Sequence, residues 1–135
     1  MSTLKYQDRD EVLASEIIAR RKATSWEFLR IAAWKSALNL AQVSVNNPKD
    51  IEDAMEKLLD RLVTYKDIDV VQNFDSIDWD TWQENVFWML NRTGLIDLSG
   101  VGYAVFTGIL GYLLPNAFPV MDKYSIAGIF GWDVA

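Results

Sequence analysis

The chain has 135 residues, half of them apolar and 24% charged, which is typical of a single globular domain. It contains no cysteine and no histidine, which excludes disulfides, thiol catalysis, zinc–thiolate sites and histidine-based catalytic triads. The net charge of −6 disfavours a nucleic-acid binder of the usual basic type, because phosphate binding needs local positive potential.

The apolar pattern predicts helices nearly throughout the chain, beginning with two in the first third. The first covers about residues 8–22, with Asp8 as its cap. The second covers about residues 24–45, with Ser25 as its cap and apolar residues at helical spacing behind it. We expect the two to pack closely, because the second carries several alanines.

Two further helices are predicted on either side of an acidic connection over residues 67–80. The third follows Asn47, with Pro48 in the first helical position, where its missing N–H costs nothing. The fourth covers about residues 78–94, with Thr81 and Glu84 as a capping box and Gly94 in the left-handed position at its end.

The stretch from Leu98 to Met121 contains no charged residue, and three interpretations fit it. It is long enough to span a membrane, but Pro115 and Pro119 interrupt it and no basic residues flank it. It also fits a buried helix over 103–114. In the third interpretation the turn Gly100-Val101-Gly102 presents backbone N–H groups to an anion at a helix N-terminus.

The segment "LSGVGYAVFTGILGYLLPNAFPVMD" resembles the helix-hairpin-helix segment of the base-excision DNA glycosylase superfamily, particularly endonuclease III-like members. In that family a Leu-x-Gly-Val-Gly hairpin opens a helix, and a loop then leads to an aspartate. Here the spacing from Leu98 to Asp122 is similar, without a gap. "WKSALN", residues 34–39, is similar to a segment of 8-oxoguanine-glycosylase-like bacterial proteins.

The resemblance implies an all-α bundle of about five or six helices that contains a helix-hairpin-helix motif. It implies the hairpin and the following helix at about 95–114 and an Asp-bearing loop at 115–122, within one domain over 1–135. The phosphate grip would be Leu98, Gly100, Val101 and Gly102, and Asp122 would be the catalytic carboxylate facing a flipped-out nucleotide. Asp122 could instead cap the following helix. Further DNA or pocket contacts would be Lys35, Tyr103, Lys123 and Tyr124.

Departures from the family pattern shape the expected chemistry. Ala104 occupies the position of the lysine nucleophile of bifunctional members, so we expect no Schiff-base lyase. Tyr124 stands where His or Arg is usual. The chain ends 13 residues after Asp122, before the helices that complete the family's base pocket. We therefore expect a truncated or divergent member, either a monofunctional glycosylase or its DNA-binding remnant.

Three other clusters have a functional and a structural interpretation. Asp75, Asp78 and Asp80 could bind a divalent cation, but they lack a calcium-loop glycine and fit a solvated connection better. Trp79 lies between two aspartates and could be an exposed contact. Five cations could form a basic patch or simply a solvated surface: Arg20, Arg21, Lys22, Arg30 and Lys35.

The alternative function is a non-catalytic, acidic protein-interaction module that binds a protein partner or forms a homodimer. We expect no metal and no membrane association. The only candidate cofactor is a monovalent cation at the hairpin, since a chain without cysteine cannot ligate an iron–sulfur cluster through thiolates. The N-terminus lacks an apolar signal segment, so the predicted location is cytoplasmic.

Overall fold

The computed structural model describes residues 9–35 and 40–119, and within these ranges the chain is helical with no β-strand. The prediction of an all-α fold is confirmed. Three 3₁₀ segments occur in the described residues, at Val63–Tyr65, Phe74–Ser76 and Leu95–Asp97. Six α-helices are described: α1 (Glu11–Arg20), α2 (Ser25–Lys35), α3 (Leu40–Val43), α4 (Pro48–Leu62), α5 (Trp79–Arg92) and α6 (Tyr103–Leu113).

Side chains cap the N-termini of four of these helices. At α1 the cap is Asp10 rather than the predicted Asp8, and its carboxylate accepts the Leu13 N–H at 3.0 Å. At α4 the predicted pair is confirmed, because Asn47 accepts the Lys49 N–H and Pro48 takes the first helical position. Each cap satisfies a backbone N–H that has no acceptor inside its helix.

The starts of α2 and α5 also differ from the predicted ones by a few residues. Thr24, not Ser25, caps α2: its hydroxyl accepts the Glu27 N–H, and Glu27 accepts the Thr24 N–H in return. At α5 the cap is Asp78, not Thr81, because the Asp78 carboxylate accepts both the N–H and the hydroxyl of Thr81. The predicted second helix is divided between α2 and α3, and residues 36–39 lie outside the described ranges.

Helix α6 runs through the centre of the core and is buried from Val105 to Leu113. It packs against α1 and α2, while α4 lies against α2 and α5. Its central residues, including Phe106 and Ile109, are fully buried. The core-helix interpretation of the uncharged stretch is therefore confirmed over the residues described. Within these residues no helix is long and apolar enough to cross a membrane.

Helices α2 and α6 approach each other closely at Gly108. A Cβ added to Gly108 would lie 2.5 Å from Cγ and 2.9 Å from Cβ of Lys35, at the end of α2. A glycine therefore lets the aliphatic stem of Lys35 lie against the α6 backbone. The glycine therefore allows a close approach of α2 and α6 at this point.

Candidate functional site: the glycine hairpin

The turn between α5 and α6 is a compact hairpin formed by residues 93–102. Gly94 follows α5 with a φ of +89°, as predicted for the left-handed position at the end of that helix. A single 3₁₀ turn, Leu95–Asp97, comes next, and the Val101 N–H then donates to the Leu98 carbonyl at 3.2 Å. Gly100 lies inside this second turn with a φ of +80°, a conformation that residues with a Cβ rarely adopt.

Asn46 holds the hairpin from the other side of a short loop. Its side-chain oxygen accepts the Ser99 N–H at 2.9 Å, and its side-chain nitrogen donates to the Ser99 carbonyl at 3.0 Å. The same nitrogen donates to the Val43 carbonyl at 2.8 Å, at the end of α3. One side chain therefore ties the hairpin to α3, across 53 residues of sequence.

The first glycine of the hairpin is covered by α3. A Cβ added to Gly100 would lie 2.8 Å from Cγ2 of Val43, 2.9 Å from the backbone nitrogen of Val43 and 2.9 Å from Cβ of Gln42. Gly100 is thus a packing position whose close neighbour includes main chain. Together with the use of the Ser99 N–H by Asn46, this leaves the first half of the hairpin unavailable to a ligand.

The second half of the hairpin is open. Gly102 is exposed, and a Cβ added there would meet no atom within 4 Å. Gly102 is the N-cap residue of α6, but it brings no side-chain hydrogen bond, unlike the capping residues of α1, α2, α4 and α5. Among the described residues no acceptor faces the backbone N–H groups of Ala104 and Val105.

Four of the predicted site residues lie in this hairpin, and a fifth, Tyr103, directly follows it as the first residue of α6. Gly102 and Tyr103 are exposed, the latter by 41%, and Gly100 is half-buried. Leu98 is half-buried and Val101 is buried, so their side chains anchor the turn rather than face a ligand.

The other predicted site residues do not join this turn in the part of the chain described. Lys35 lies against Gly108, five residues along α6 from Tyr103, which corresponds to about 7.5 Å of helix. Asp122, Lys123 and Tyr124 lie outside the described residues. The expected carboxylate site is therefore not tested by this structure.

The proposed basic patch on α1 and α2 is weakened by two ion pairs. Arg20 pairs with Glu27 at 2.6 Å, and Arg30 pairs with Asp10 at 3.4 Å. Two of the five cations are thus neutralised by nearby carboxylates. The interpretation as ordinary surface charge fits this part of the structure better than a DNA-binding face.

The acidic connection is used for local structure. Asp78 caps α5, and hydrogen bonds from the hydroxyl and the N–H of Thr81 hold the pKa of Asp78 below its usual value. Asp69 accepts the N–H groups of Val71 and Gln72 in the preceding turn. Across residues 9–35 and 40–119, no group of three potential acidic ligands is placed to hold a metal ion.

Trp79 belongs to an aromatic cluster rather than to an isolated loop contact. Its indole N–H donates to the Phe74 carbonyl at 3.1 Å, and its ring lies 5.0 Å from that of Phe74 and 5.4 Å from that of Trp82. These rings border a mainly apolar groove of about 520 Å³, which continues to Val71 and Pro119. Phe74 and Val71 are 61% and 72% exposed.

Asn46 is the important hairpin residue that the sequence interpretation missed. The pair Asn46-Asn47 precedes α4, and a single asparagine is sufficient for the cap. The asparagine that the cap does not need, Asn46, therefore indicates a further hydrogen-bonding role. Its partner, Ser99, could not be identified without knowing how α3 and the hairpin pack.

Replacing Asn46 with alanine is expected to lower the free energy of unfolding by about 2 kcal/mol, because three side-chain hydrogen bonds are lost. Denaturant unfolding measures this loss. Asn46→Asp keeps the acceptor for the Ser99 N–H but loses both donated bonds, so an intermediate loss is expected. An unfolding free energy unchanged in both variants would contradict the role of Asn46 as the link between α3 and the hairpin.

Chemically, the open half of the hairpin offers backbone donors and no side-chain nucleophile. Residues 98–106 carry no charged side chain, so an anion would be bound by N–H groups and by the partial positive charge of the α6 N-terminus. Comparison with protein-family models, with curated proteins and with solved structures finds no match to this chain.

Proposed function

We propose that the chain binds the phosphate backbone of DNA through the open half of the hairpin, as the helix-hairpin-helix resemblance implies. The observation that supports this most strongly is that no side chain of the described residues caps the N-terminus of α6 at the exposed Gly102. Every other helix of ten residues or more in the described ranges has a side-chain acceptor at this position. A phosphate oxygen would occupy the place that a capping oxygen takes elsewhere.

The hairpin glycines have different roles in this proposal. Gly100 allows the tight turn against α3, and Gly102 allows close approach of the phosphate because it has no side chain. Asn46 holds the turn in place through its hydrogen bonds to Ser99, so the backbone N–H groups at the start of α6 are positioned before the ligand binds. A preorganised grip avoids the entropy cost of ordering a loop on binding.

The second and more specific part of the proposal is that the chain is a monofunctional DNA glycosylase, which removes a base without cutting the strand. By resemblance, Asp122 would stabilise positive charge on the sugar as the base leaves, or activate the attacking water. Hydrolysis would leave an abasic site in an intact strand, because Ala104 occupies the place of the lysine that forms a Schiff base in bifunctional members. This part rests on the family resemblance of residues 98–122.

A binding and base-release experiment tests both levels of the proposal. Duplexes carrying uracil, 8-oxoguanine or an undamaged base are titrated at low ionic strength, where phosphate contacts are strongest. We expect binding by the parent and base release from at least one damaged duplex. Asp122→Asn is expected to retain binding and lose release. Asp97→Asn changes an exposed carboxylate in the first turn of the hairpin, away from Gly102, and is expected to retain both.

The results can contradict the two levels separately. Release that survives Asp122→Asn removes the catalytic role of Asp122. Strand cleavage with a covalent complex trapped by borohydride would contradict the monofunctional chemistry. An absence of release from all duplexes, with binding retained, would leave a DNA-binding remnant of the glycosylase fold.

The second candidate function is a protein-interaction module, and the groove beside Phe74 favours it. Two large apolar side chains, Val71 and Phe74, are more than half exposed at its edge. An exposed apolar patch of this kind marks an interaction surface in many proteins. We propose a second copy of the chain as the partner. A sedimentation measurement that shows only monomer, for the parent and for Phe74→Ser alike, would contradict this alternative.

A further inference from the structure

A second cavity, of about 580 Å³, lies where the C-terminal ends of α1, α4 and α6 meet. Its walls include Ile18 and Arg21 at the end of α1, Lys66 after α4, and Leu114 and Asn116 after α6. The Val70 N–H donates to the Asn116 carbonyl at 3.0 Å and ties the turn after α4 to the loop after α6. The cavity is at the opposite end of α6 from the hairpin, so it is a separate site.

Three cations line this cavity in a chain whose net charge is −6. They are Arg9, Arg21 and Lys66, and among the lining residues that lie within 9–35 and 40–119 Asp67 is the only carboxylate. Within the described ranges the side chains of these three cations form no hydrogen bond or ion pair. The described part of the lining therefore carries a net charge of +2, and no ion pair there neutralises its cations.

The guanidinium of Arg9 is the most unusual of these groups. Its Nη1 atom is buried and has no hydrogen-bond partner. A buried charged donor without a partner costs more than most single interactions contribute, so such groups are rare unless a ligand satisfies them. The C-termini of the three helices attract cations, but no carbonyl there accepts a bond from Arg9.

Arg21 takes a conformation that is costly for arginine. Its φ of +57° and ψ of +31° lie in the left-handed region, where glycine is the usual residue at the end of a helix. Its N–H donates to the Ile17 carbonyl at 2.9 Å, so the backbone performs the ordinary capping role. A glycine would do the same with less strain, whereas only a long cationic side chain adds charge to the cavity.

We propose that this cavity binds the phosphate group of a small phosphate monoester. A monoester near neutral pH carries close to two negative charges, which match the net charge of the lining. The planar guanidinium groups of Arg9 and Arg21 suit its oxygens, which can accept two parallel hydrogen bonds from one arginine. The volume is within the range of small-molecule sites and leaves room for more than the phosphate itself.

The charge of the lining also separates this ligand from the DNA backbone. A phosphodiester carries one negative charge, so it would leave part of the cavity charge uncompensated. The site is therefore independent of the hairpin proposal, and the two can fail separately. We expect substitutions in the cavity to leave duplex binding at Gly102 unchanged.

Isothermal titration calorimetry with inorganic phosphate, phenyl phosphate and dimethyl phosphate tests the proposal on the full chain. At a pH of about 8, where the monoester is doubly charged, we expect phenyl phosphate to bind with a dissociation constant below about 1 mM. Inorganic phosphate is expected to bind more weakly because it lacks the organic group. Dimethyl phosphate, with one charge, is expected to bind at least about tenfold more weakly than phenyl phosphate.

Two variants and one control connect the binding to these residues. Arg21→Gly removes a cation and the backbone strain together, so it should weaken phenyl phosphate binding about tenfold without loss of thermal stability. Lys66→Gln should weaken phenyl phosphate binding by a similar factor. Because Lys66 is exposed, this change should not affect folding. Lys22→Ala removes a neighbouring exposed cation outside the cavity and should change the affinity less than about twofold.

Several results would overturn the proposal. They are the absence of binding by both phosphate and phenyl phosphate, equal affinity for dimethyl phosphate, and equal weakening by the Lys22→Ala control. Unchanged affinity in folded Arg21→Gly and Lys66→Gln would also overturn it, because the lining cations would then not hold the ligand.

Discussion

Replacing Gly100 with alanine is expected to lower the free energy of unfolding by about 3 kcal/mol, the largest single loss we predict in the hairpin. Two effects add here. A φ of +80° costs about 1–2 kcal/mol for a residue with a Cβ. The new Cβ would also lie 2.8–2.9 Å from atoms of α3, one of which is the backbone nitrogen of Val43 and cannot rotate away.

The matched control is Gly102→Ala in the same turn. Its φ of −98° and ψ of −170° are accessible to alanine, and its Cβ would meet no atom within 4 Å. We expect its unfolding free energy to stay within about 0.5 kcal/mol of the parent. Guanidinium unfolding of both variants measures the difference. Equal stabilities of the two variants would show that α3 does not pack against the hairpin as described.

The second large effect concerns binding. Gly102→Asp is expected to weaken the affinity for duplex DNA by more than about tenfold, because a carboxylate would stand where the phosphate binds. The same change should raise the free energy of unfolding by about 0.5 kcal/mol, since aspartate is a better N-cap residue than glycine and favours the helix dipole. Stability and affinity would therefore change in opposite directions.

Gly102→Asn separates charge from size in this experiment. Asparagine has nearly the same shape as aspartate and also caps helices, but it carries no charge. We expect it to stabilise the fold slightly less than Gly102→Asp does, because it caps the helix but adds no charge to the dipole interaction. Its affinity for duplex DNA should fall less than that of Gly102→Asp, because only the bulk of the added side chain opposes the phosphate. The difference between the two variants therefore reports the charge of the ligand at this position.

The local features of the fold could be predicted from short sequence patterns. Asn47-Pro48 marks the start of α4, and Gly94 marks the end of α5, because capping and φ preferences depend on only a few adjacent residues. The buried helix after the hairpin was also predictable, since an apolar run of that length between glycine and proline suits a core element. Where the cap was misplaced, as at Asp78 rather than Thr81, the error was three residues.

Contacts between distant segments could not be predicted in the same way. The bonds of Asn46 to Ser99 and the contact of Lys35 with Gly108 depend on how helices pack after they form. The same is true of the cavity, where Arg9 and Lys66 are far apart in the sequence and line one space only after the helices have packed. The sequence shows that these residues are cationic, but only the packed structure shows which of them lack a hydrogen-bond or ion-pair partner.

The hairpin also shows how the same motif divides into structural and ligand-facing parts. The sequence interpretation treated Gly100, Val101 and Gly102 alike. In the structure Gly100 is packed against α3, Val101 is buried, and Gly102 alone is exposed with open space around it. The most informative substitutions therefore shift from Gly100, where any change alters folding, to Gly102, where folding and binding can be separated.

The most direct test of the account is an anisotropy titration of one labelled duplex at low ionic strength with three proteins: the parent, Gly102→Asn and Gly102→Asp. The account predicts that the parent binds most tightly, that Gly102→Asn is intermediate, and that Gly102→Asp is weaker than Gly102→Asn by about tenfold. An absence of binding by the parent, or equal affinities for all three proteins, would contradict the proposal that the N-terminus of α6 grips a DNA phosphate.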